Sequence, residues 1–382
     1  RAAHARKRKI VSHVFSPRTI NEYEPLISSH VAELLERLDV IYEKGCRGIE
    51  GDEGTGWVSR DGWLWLDIQP WFAYVVFDII GDLAFGSPFG MVEAAKDVVP
   101  VAKSNEKTMS SYGKDVARNA TVQMPAIDLL RGRSDFNAVI GVIPLRWRPL
   151  VTRFIPWLNR GSKCVSSLAG IAATSVSKRL SVPNSRADFL TRLLQGKDDE
   201  GKPLGAEELT AESVTLLTGG SDTISNTLGS IMYRIASSPR CQDSLTKELK
   251  EAIGADDAPV CSFADVKNLP YLEAAVNEAM RLHSTIGLGL PREVPEGGLT
   301  ILGHTFVPGT VVSVPAYTVH RDVSVWGPDA HEFRPERWLE EGASTRAKYF
   351  HPFSLGPRAC ISRNLAMMEV LIIIASLLRR YD

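Results

Sequence analysis

The loop FSLGPRACIS (353–362) carries one thiol, Cys360, two residues after a cation, Arg358, in a chain stiffened by Gly356 and Pro357. Directly behind it, NLAMMEVLIIIASLL is apolar enough to be a buried helix. At the N-terminal end of such a helix, backbone N–H groups and the helix dipole favour thiolate over thiol. A thiolate held there can be a nucleophile or an axial metal ligand. A nucleophile needs a base, and His351 is the nearest histidine in sequence. The plainer alternative is a buried structural cysteine.

A second constellation lies in LLTGGSDTISN (216–226), inside a helical pattern running from Glu207 to Ala236. Glycine in a helix interior costs about 1 kcal/mol relative to alanine. The adjacent pair Gly219 and Gly220 therefore asks for something bulky pressed against the helix. Asp222 and Thr223 follow at once and supply an acid and a hydroxyl; the alternative is a loosely packed core helix with a capped acid. A third pair, Glu278 and Arg281, shares a helix face at i, i+3 and can form an ion pair. E-x-x-R arises by chance about once in a chain of this composition, so it carries little weight alone.

These residues need a scaffold, and the chain can build one. It has 382 residues, 44% of them hydrophobic, enough for a large core. The net charge of −1 gives no global field for nucleic acid. Five scattered cysteines without C-x-x-C argue against a disulfide framework or zinc cluster and for a reducing compartment. No secretory signal is visible. The longest apolar run, Leu365 to Leu378, is too short to span a bilayer and carries Glu369. Because the chain begins at Arg1 in what reads as mid-helix and stops directly after a core helix, it is expected to be part of something longer.

Helical periodicity dominates. Thr19 to Tyr42 reads as one helix and Leu66 to Phe85 as a buried one. The stretch Lys44 to Asp61 is expected to be a surface loop, and the polar stretch Ser181 to Gly205 separates the two halves. Strand signals are confined to LTILGHTFVPGTVVSVPAY (299–317), with a turn at Pro308-Gly309. The expected fold is mainly α with a small β portion, without repeats. In 140–158, Trp147, Phe154 and Trp157 mix with Arg146, Arg148 and Arg153, which suits either a bilayer interface or a helix–loop–helix lid.

The pattern F-x-x-G-x-R-x-C resembles the haem-binding loop of the cytochrome P-450 superfamily. That resemblance implies Cys360 as proximal iron ligand, Phe353 packed under the ring, Gly356 in the cofactor loop and Arg358 paired with a haem propionate. LLTGGSDTISN resembles the distal helix motif A/G-G-x-D/E-T. It matches at Gly219, Gly220, Asp222 and Thr223, the last two implied as a proton relay, and departs at Ile224. Glu278, Arg281 and Arg337, from E-x-x-R and FRPERW (333–338) in the family's order, are implied as a buried structural triad. HARKRKIVSHVFS resembles the helix bearing W-x-x-x-R, with His4 in place of tryptophan and Arg8 facing a propionate. Arg6, Lys7 and Lys9 would then form part of a basic face for an acidic electron donor.

The resemblance covers nearly the whole chain. It implies a single haem domain over 1–382 with an incomplete cytochrome P-450 fold, lacking the N-terminal anchor and β-sheet region and the C-terminal β-hairpin. It also implies haem b, O₂, electrons from NADPH through a flavoprotein reductase, and, for the full-length form, the cytosolic face of the endoplasmic reticulum membrane. GSPFGM (86–91), YGKDVAR, IPLRWRPLV, DDEGKPL and HSTIGLGLPREVP resemble the fungal benzoate para-hydroxylases. The expected activity is insertion of one oxygen atom into an aromatic acid, benzoate at the 4-position; the alternative is a haem-binding or inactive remnant without turnover. A buried carboxylate needs donors, and Thr215, Thr218, Ser284 and Thr285 are the expected ones; the alternative is core threonines bonding back to their own helix. Ser362 stands where family loops usually carry glycine. It is expected to crowd the space beside the haem, with some strain or a shift of the ring, to hydrogen-bond the Cys360 sulfur, or to cap the following helix at an N–H near Leu365.

Overall fold

A helix apolar on every side has to be buried on every side, and Ile68–Phe85 is such a helix. Asp67 caps its first turn by accepting from the Gln69 N–H, and Gly86, at φ 71°, ends it in the left-handed conformation that glycine adopts without strain. Phe72, Val75, Val76 and Ile79 have no exposure at all. By length and hydropathy it could cross a bilayer, but 78% of it is buried inside the protein.

The computed structural model describes residues 2–49, 51, 56–61, 63–114, 120–181, 188–253 and 258–381. Parts of the expected loop 44–61 and of the separator 181–205, and the DVAR of YGKDVAR, lie outside them. The chain forms two compact units: Arg1–Asn226 with Asn364–Glu369, and Thr227–Arg363 with Val370–Asp382.

In the first unit, helices α1 (Ala2–Ser12) and α2 (Glu24–Cys46) precede the hairpin β1 (Trp57–Arg60) and β2 (Trp63–Leu66). Then come α3 (Ile68–Phe85) and the antiparallel pair β3 (Val99–Ala102) and β4 (Thr121–Met124). Helices α4 (Ala126–Val142), α5 (Arg148–Phe154), α6 (Pro156–Ser181) and α7 (Phe189–Gln195) follow, and then α8 (Ala206–Ala236), which belongs to this unit as far as Asn226. The helix expected over 19–42 is broken: Pro17–Asn21 is a separate turn, and α2 starts at Glu24. Pro25 explains the break, since proline has no N–H to give and is at home only in a helix's first turn. The expected surface loop 44–61 is also partly regular, because Trp57 is 5% exposed and pairs its strand with Trp63–Leu66.

The second unit contains α9 (Pro239–Ile253) and α10 (Pro270–Leu282). The Glu248 carboxylate of α9 accepts the Tyr271 and Leu272 N–H groups at 2.8 Å each, satisfying the start of α10. Strand β5 (Arg292–Glu293) pairs with β8 (Val311–Val312), and β6 (Leu299–Ile301) pairs with β7 (His304–Phe306). The turn at Pro308-Gly309 is present, closed by the Thr310 N–H on Val307 O at 3.2 Å with Gly309 at φ 83°. Strands are therefore not confined to 299–317.

Helix α11 (Arg363–Arg380) follows the cysteine loop. Its Glu369 is 3% exposed, and burial pushes its carboxyl up to about 8. The Oε2 atom has no hydrogen-bond partner among the described residues.

Candidate functional site

The cysteine loop belongs to the second unit. The Cys360 N–H donates to Phe353 O at 2.8 Å and the Ala359 N–H to Gly356 O at 3.0 Å, so backbone bonds hold the loop in a closed bend. The thiol itself is exposed. Phe353 is partly buried, with the Arg363 guanidinium 5.6 Å over its ring. Arg358 is exposed and makes no ion pair or hydrogen bond among the described residues. The structural-cysteine alternative fails here, because such a residue would be buried.

For Ser362 the structure decides between the helix cap and the contact with sulfur. Its φ of −94° is open to any residue, and its side chain makes no capping bond to α11. Its Oγ lies 3.4 Å from Cys360 Sγ. When the sulfur is a thiolate it can only accept, so the hydroxyl donates.

The ion pair expected from E-x-x-R is the best-formed feature of this unit. Glu278, Arg281 and Arg337 are all within 1% of complete burial. Glu278 accepts from Arg281 Nε and Nη2 and from Arg337 Nε, each at 2.8 Å. It also accepts from Trp338 Nε1 at 2.9 Å and the Arg334 N–H at 3.1 Å. Arg281 spends its remaining donors on the carbonyls of His320, Ala330 and Glu332. A guanidinium has five donors, and each of these five has an acceptor.

In the first unit, α8 carries the glycine pair and the acid–alcohol pair. The two glycines have different surroundings. A Cβ on Gly220 would lie 2.7 Å from Ile80 Cδ1 of α3, whereas one on Gly219 would meet no atom within 4 Å. Gly220 thus lets two helices pack closely, and Gly219 leaves its backbone approachable. Asp222 Oδ1 accepts from Asn226 Nδ2 at 3.0 Å, and the Thr223 hydroxyl donates to Gly219 O at 2.9 Å. Thr215, Gly219 and Thr223 recur every four residues, on one stripe of the helix.

The four hydroxyls expected to meet a substrate carboxylate are already engaged. Thr215 donates to Ala211 O at 3.0 Å and Thr218, which is buried, to Val214 O at 2.8 Å. This back-bonding is what threonine does by default in a helix. Ser284 donates to Met280 O, and Thr285 pairs with Thr227 at 3.0 Å. They keep acceptor lone pairs but would have to rotate in order to donate.

His4 and Arg8 lie one turn apart on α1, both partly buried. The basic face expected beside them is corrected by the structure. Arg6 pairs with Asp199 and Glu208, and Lys7 with Glu208 and Glu212, all on the segment leading into and opening α8. These charges are neutralised within the unit, leaving Lys9 exposed. Sequence reasoning also missed His320, the buried imidazole between the triad and the cysteine loop. Its partners lie 36 and 31 residues away, so no local pattern marks it.

The family model for cytochrome P-450 matches residues 2–382. The chain belongs to that family. Among curated cytochromes P-450, benzoate 4-monooxygenase of Aspergillus niger is 41% identical over all of this chain and 71% of its own length. A cytochrome P-450 monooxygenase of Penicillium roqueforti is 32% identical over 99% of the chain and 69% of its own length. Trichothecene C-15 hydroxylase of Fusarium sporotrichioides is 28% identical over 100% and 69%. The chain is thus a mainly helical cytochrome P-450 monooxygenase, an oxidoreductase of a haem-thiolate family. Its residues fit that cofactor. An exposed thiol on a rigid bend offers a soft axial ligand, and an unpaired guanidinium two residues away offers a partner for a carboxylate.

Proposed function

We propose that this cytochrome P-450 hydroxylates a small aromatic acid, benzoate at the 4-position, using O₂ and electrons passed from NADPH by a flavoprotein reductase. The observation that carries this reading is the 41% identity, over the whole of this chain, to a protein named for that reaction. When bound through Cys360, haem supplies activation of O₂, with thiolate donation favouring O–O cleavage. Arg358 would hold a propionate. Asp222 and Thr223 would hand protons to the oxygen side, with Asn226 holding the carboxylate at Oδ1 and Gly219 O holding the threonine hydroxyl. Glu278, Arg281 and Arg337 keep a structural role.

The test is product formation. Haem-loaded protein with benzoate, NADPH and a fungal reductase is expected to release 4-hydroxybenzoate. Benzoate-independent NADPH consumption with no hydroxylated product would overturn the substrate assignment and favour a haem protein without turnover.

Ser362 adds a prediction of its own. A hydroxyl donating to the ligand sulfur withdraws charge from it and raises the iron's reduction potential. Ser362→Ala removes the donor without disturbing a φ of −94°, so a potentiometric titration should find the variant's potential lowered. An unchanged potential would mean the contact carries no electronic effect.

A membrane-surface location, on the cytosolic face of the endoplasmic reticulum, is part of the same reading. Between α4 and α6, Val142 is 83% exposed, Leu145 76% and Phe154 69%, with Trp147 and Trp157 about half exposed. The Arg146 and Arg153 guanidiniums sit over the neighbouring Trp147 and Phe154 rings. Apolar side chains rimmed by arginine suit a headgroup layer.

A further inference from the structure

His320 is fully buried at the end of the one-turn helix Ala316–Val319, and both its backbone and its ring are committed. Its carbonyl accepts from Arg281 Nη1 at 2.6 Å. Its Nε2 takes the His351 N–H at 2.8 Å. A backbone N–H can only donate, so Nε2 must be the bare nitrogen and Nδ1 must carry the proton. Nδ1 lies 2.8 Å from Ser284 Oγ, which therefore accepts from it while donating its own hydrogen to Met280 O at 3.0 Å. Every hydrogen in this chain has one direction. The ring also packs against Phe350 at 5.3 Å between centroids, and Phe350 against Trp338, the indole that donates to Glu278.

The bond to His351 is made where the cysteine loop begins. From there the His351 carbonyl accepts the Ser354 N–H at 3.0 Å, and the Phe353 carbonyl accepts the Cys360 N–H at 2.8 Å. One continuous set of hydrogen bonds thus runs from the Glu278–Arg281 pair, through His320, to the backbone of the thiol.

We propose that His320, as the neutral Nδ1–H imidazole, is the positioning residue that fixes the thiolate loop onto the buried charge network. The proposal rests on Cys360 being the haem ligand and adds a residue to which no role has been given. It has a pH signature. Protonating Nε2 would set a second N–H against the His351 N–H and break the loop's anchor. The titratable and charged groups facing the ring are His351 from the loop, Arg281 from α10 and the adjacent Arg321. All three oppose a further positive charge, and burial opposes it most, holding His320 down at about 4. The anchor is therefore intact at neutral pH and is lost as the pH falls towards 4.

The experiment uses haem-loaded parent, His320→Leu, His320→Gln and Ser284→Ala, read by the carbon-monoxide difference spectrum and by haem transfer to apomyoglobin. Leucine makes neither bond and should lose haem about tenfold faster, with part of the red-shifted band gone. Glutamine can donate and accept at the two ring-nitrogen positions without titrating. It should keep the parent's band at neutral pH and hold it to lower pH than the parent does. If the leucine variant does not fold, Ser284→Ala decides, since it leaves the buried Nδ1–H without its acceptor and should speed haem loss severalfold with the fold intact. Parent-like haem loss and pH profile in the leucine variant, or in Ser284→Ala, would overturn the proposal. A parent without any red-shifted band would instead overturn the haem-thiolate reading itself.

Discussion

Glu278→Gln is expected to lose about 3–5 kcal/mol of folding stability, the cost of leaving a buried charge without its partner. Five donors converge on the Glu278 carboxylate, from Arg281, Arg337, Trp338 and the Arg334 backbone. Glutamine keeps the shape but removes the negative charge between two guanidiniums that are 0% and 1% exposed. Its amide nitrogen would also face donors that need an acceptor. Against a typical reserve of about 5–15 kcal/mol, such a loss should show as poor soluble yield and a large drop in the urea midpoint. A shift equivalent to less than about 1 kcal/mol would mean that the network is solvated and does not hold the second unit together.

Cys360→Ala should show the reverse pattern. The thiol is exposed, and among the described residues its one side-chain hydrogen bond is with Ser362 Oγ at 3.4 Å. The loop is held by backbone bonds that alanine keeps. Surface changes of this kind usually stay within about 0.5 kcal/mol, so the urea midpoint should not move. The red-shifted carbon-monoxide band, however, should vanish, because that loop holds no other thiol. A surviving band would place the ligand elsewhere. Together the two variants separate what holds the fold from what performs the chemistry.

What could be read in the sequence follows the range of each interaction. Gly219, Gly220, Asp222 and Thr223 sit within one turn and a half of helix, so their shared element was visible from spacing alone. Glu278 and Arg281 are likewise three residues apart, and their pair formed as that spacing implies. The fate of Thr215 and Thr218 was legible in principle, since back-bonding is local; a carboxylate-binding reading asked more of them than a helix leaves available. The pairing of Arg6 and Lys7 with Glu208 and Glu212 spans about 200 residues, and no local rule could reveal it. Strands β1 to β4 were missed because each is only four residues long, too short for an alternating pattern to stand out. The role of His320 depends on Ser284 and His351, which only the folded chain brings to its two nitrogens.

The buried carboxyl of Glu369 bears on how acid and base act on the whole protein. Unfolded, it would release its proton above 4.5; folded, it keeps it until about 8, so stability drains away as the pH rises through that interval. His320 works in the opposite sense. Unfolded, it gains a proton below 6.5, and folded only near 4, so stability drains away as the pH falls. Each proton is worth about 1.4 kcal/mol per pH unit, and between 4.5 and 6.5 the two slopes cancel. Across that window the folded ring stays neutral and the thiolate loop keeps its anchor, which is lost only as the pH falls on towards 4. Mild alkali, by contrast, meets Glu369 with no opposing slope from His320.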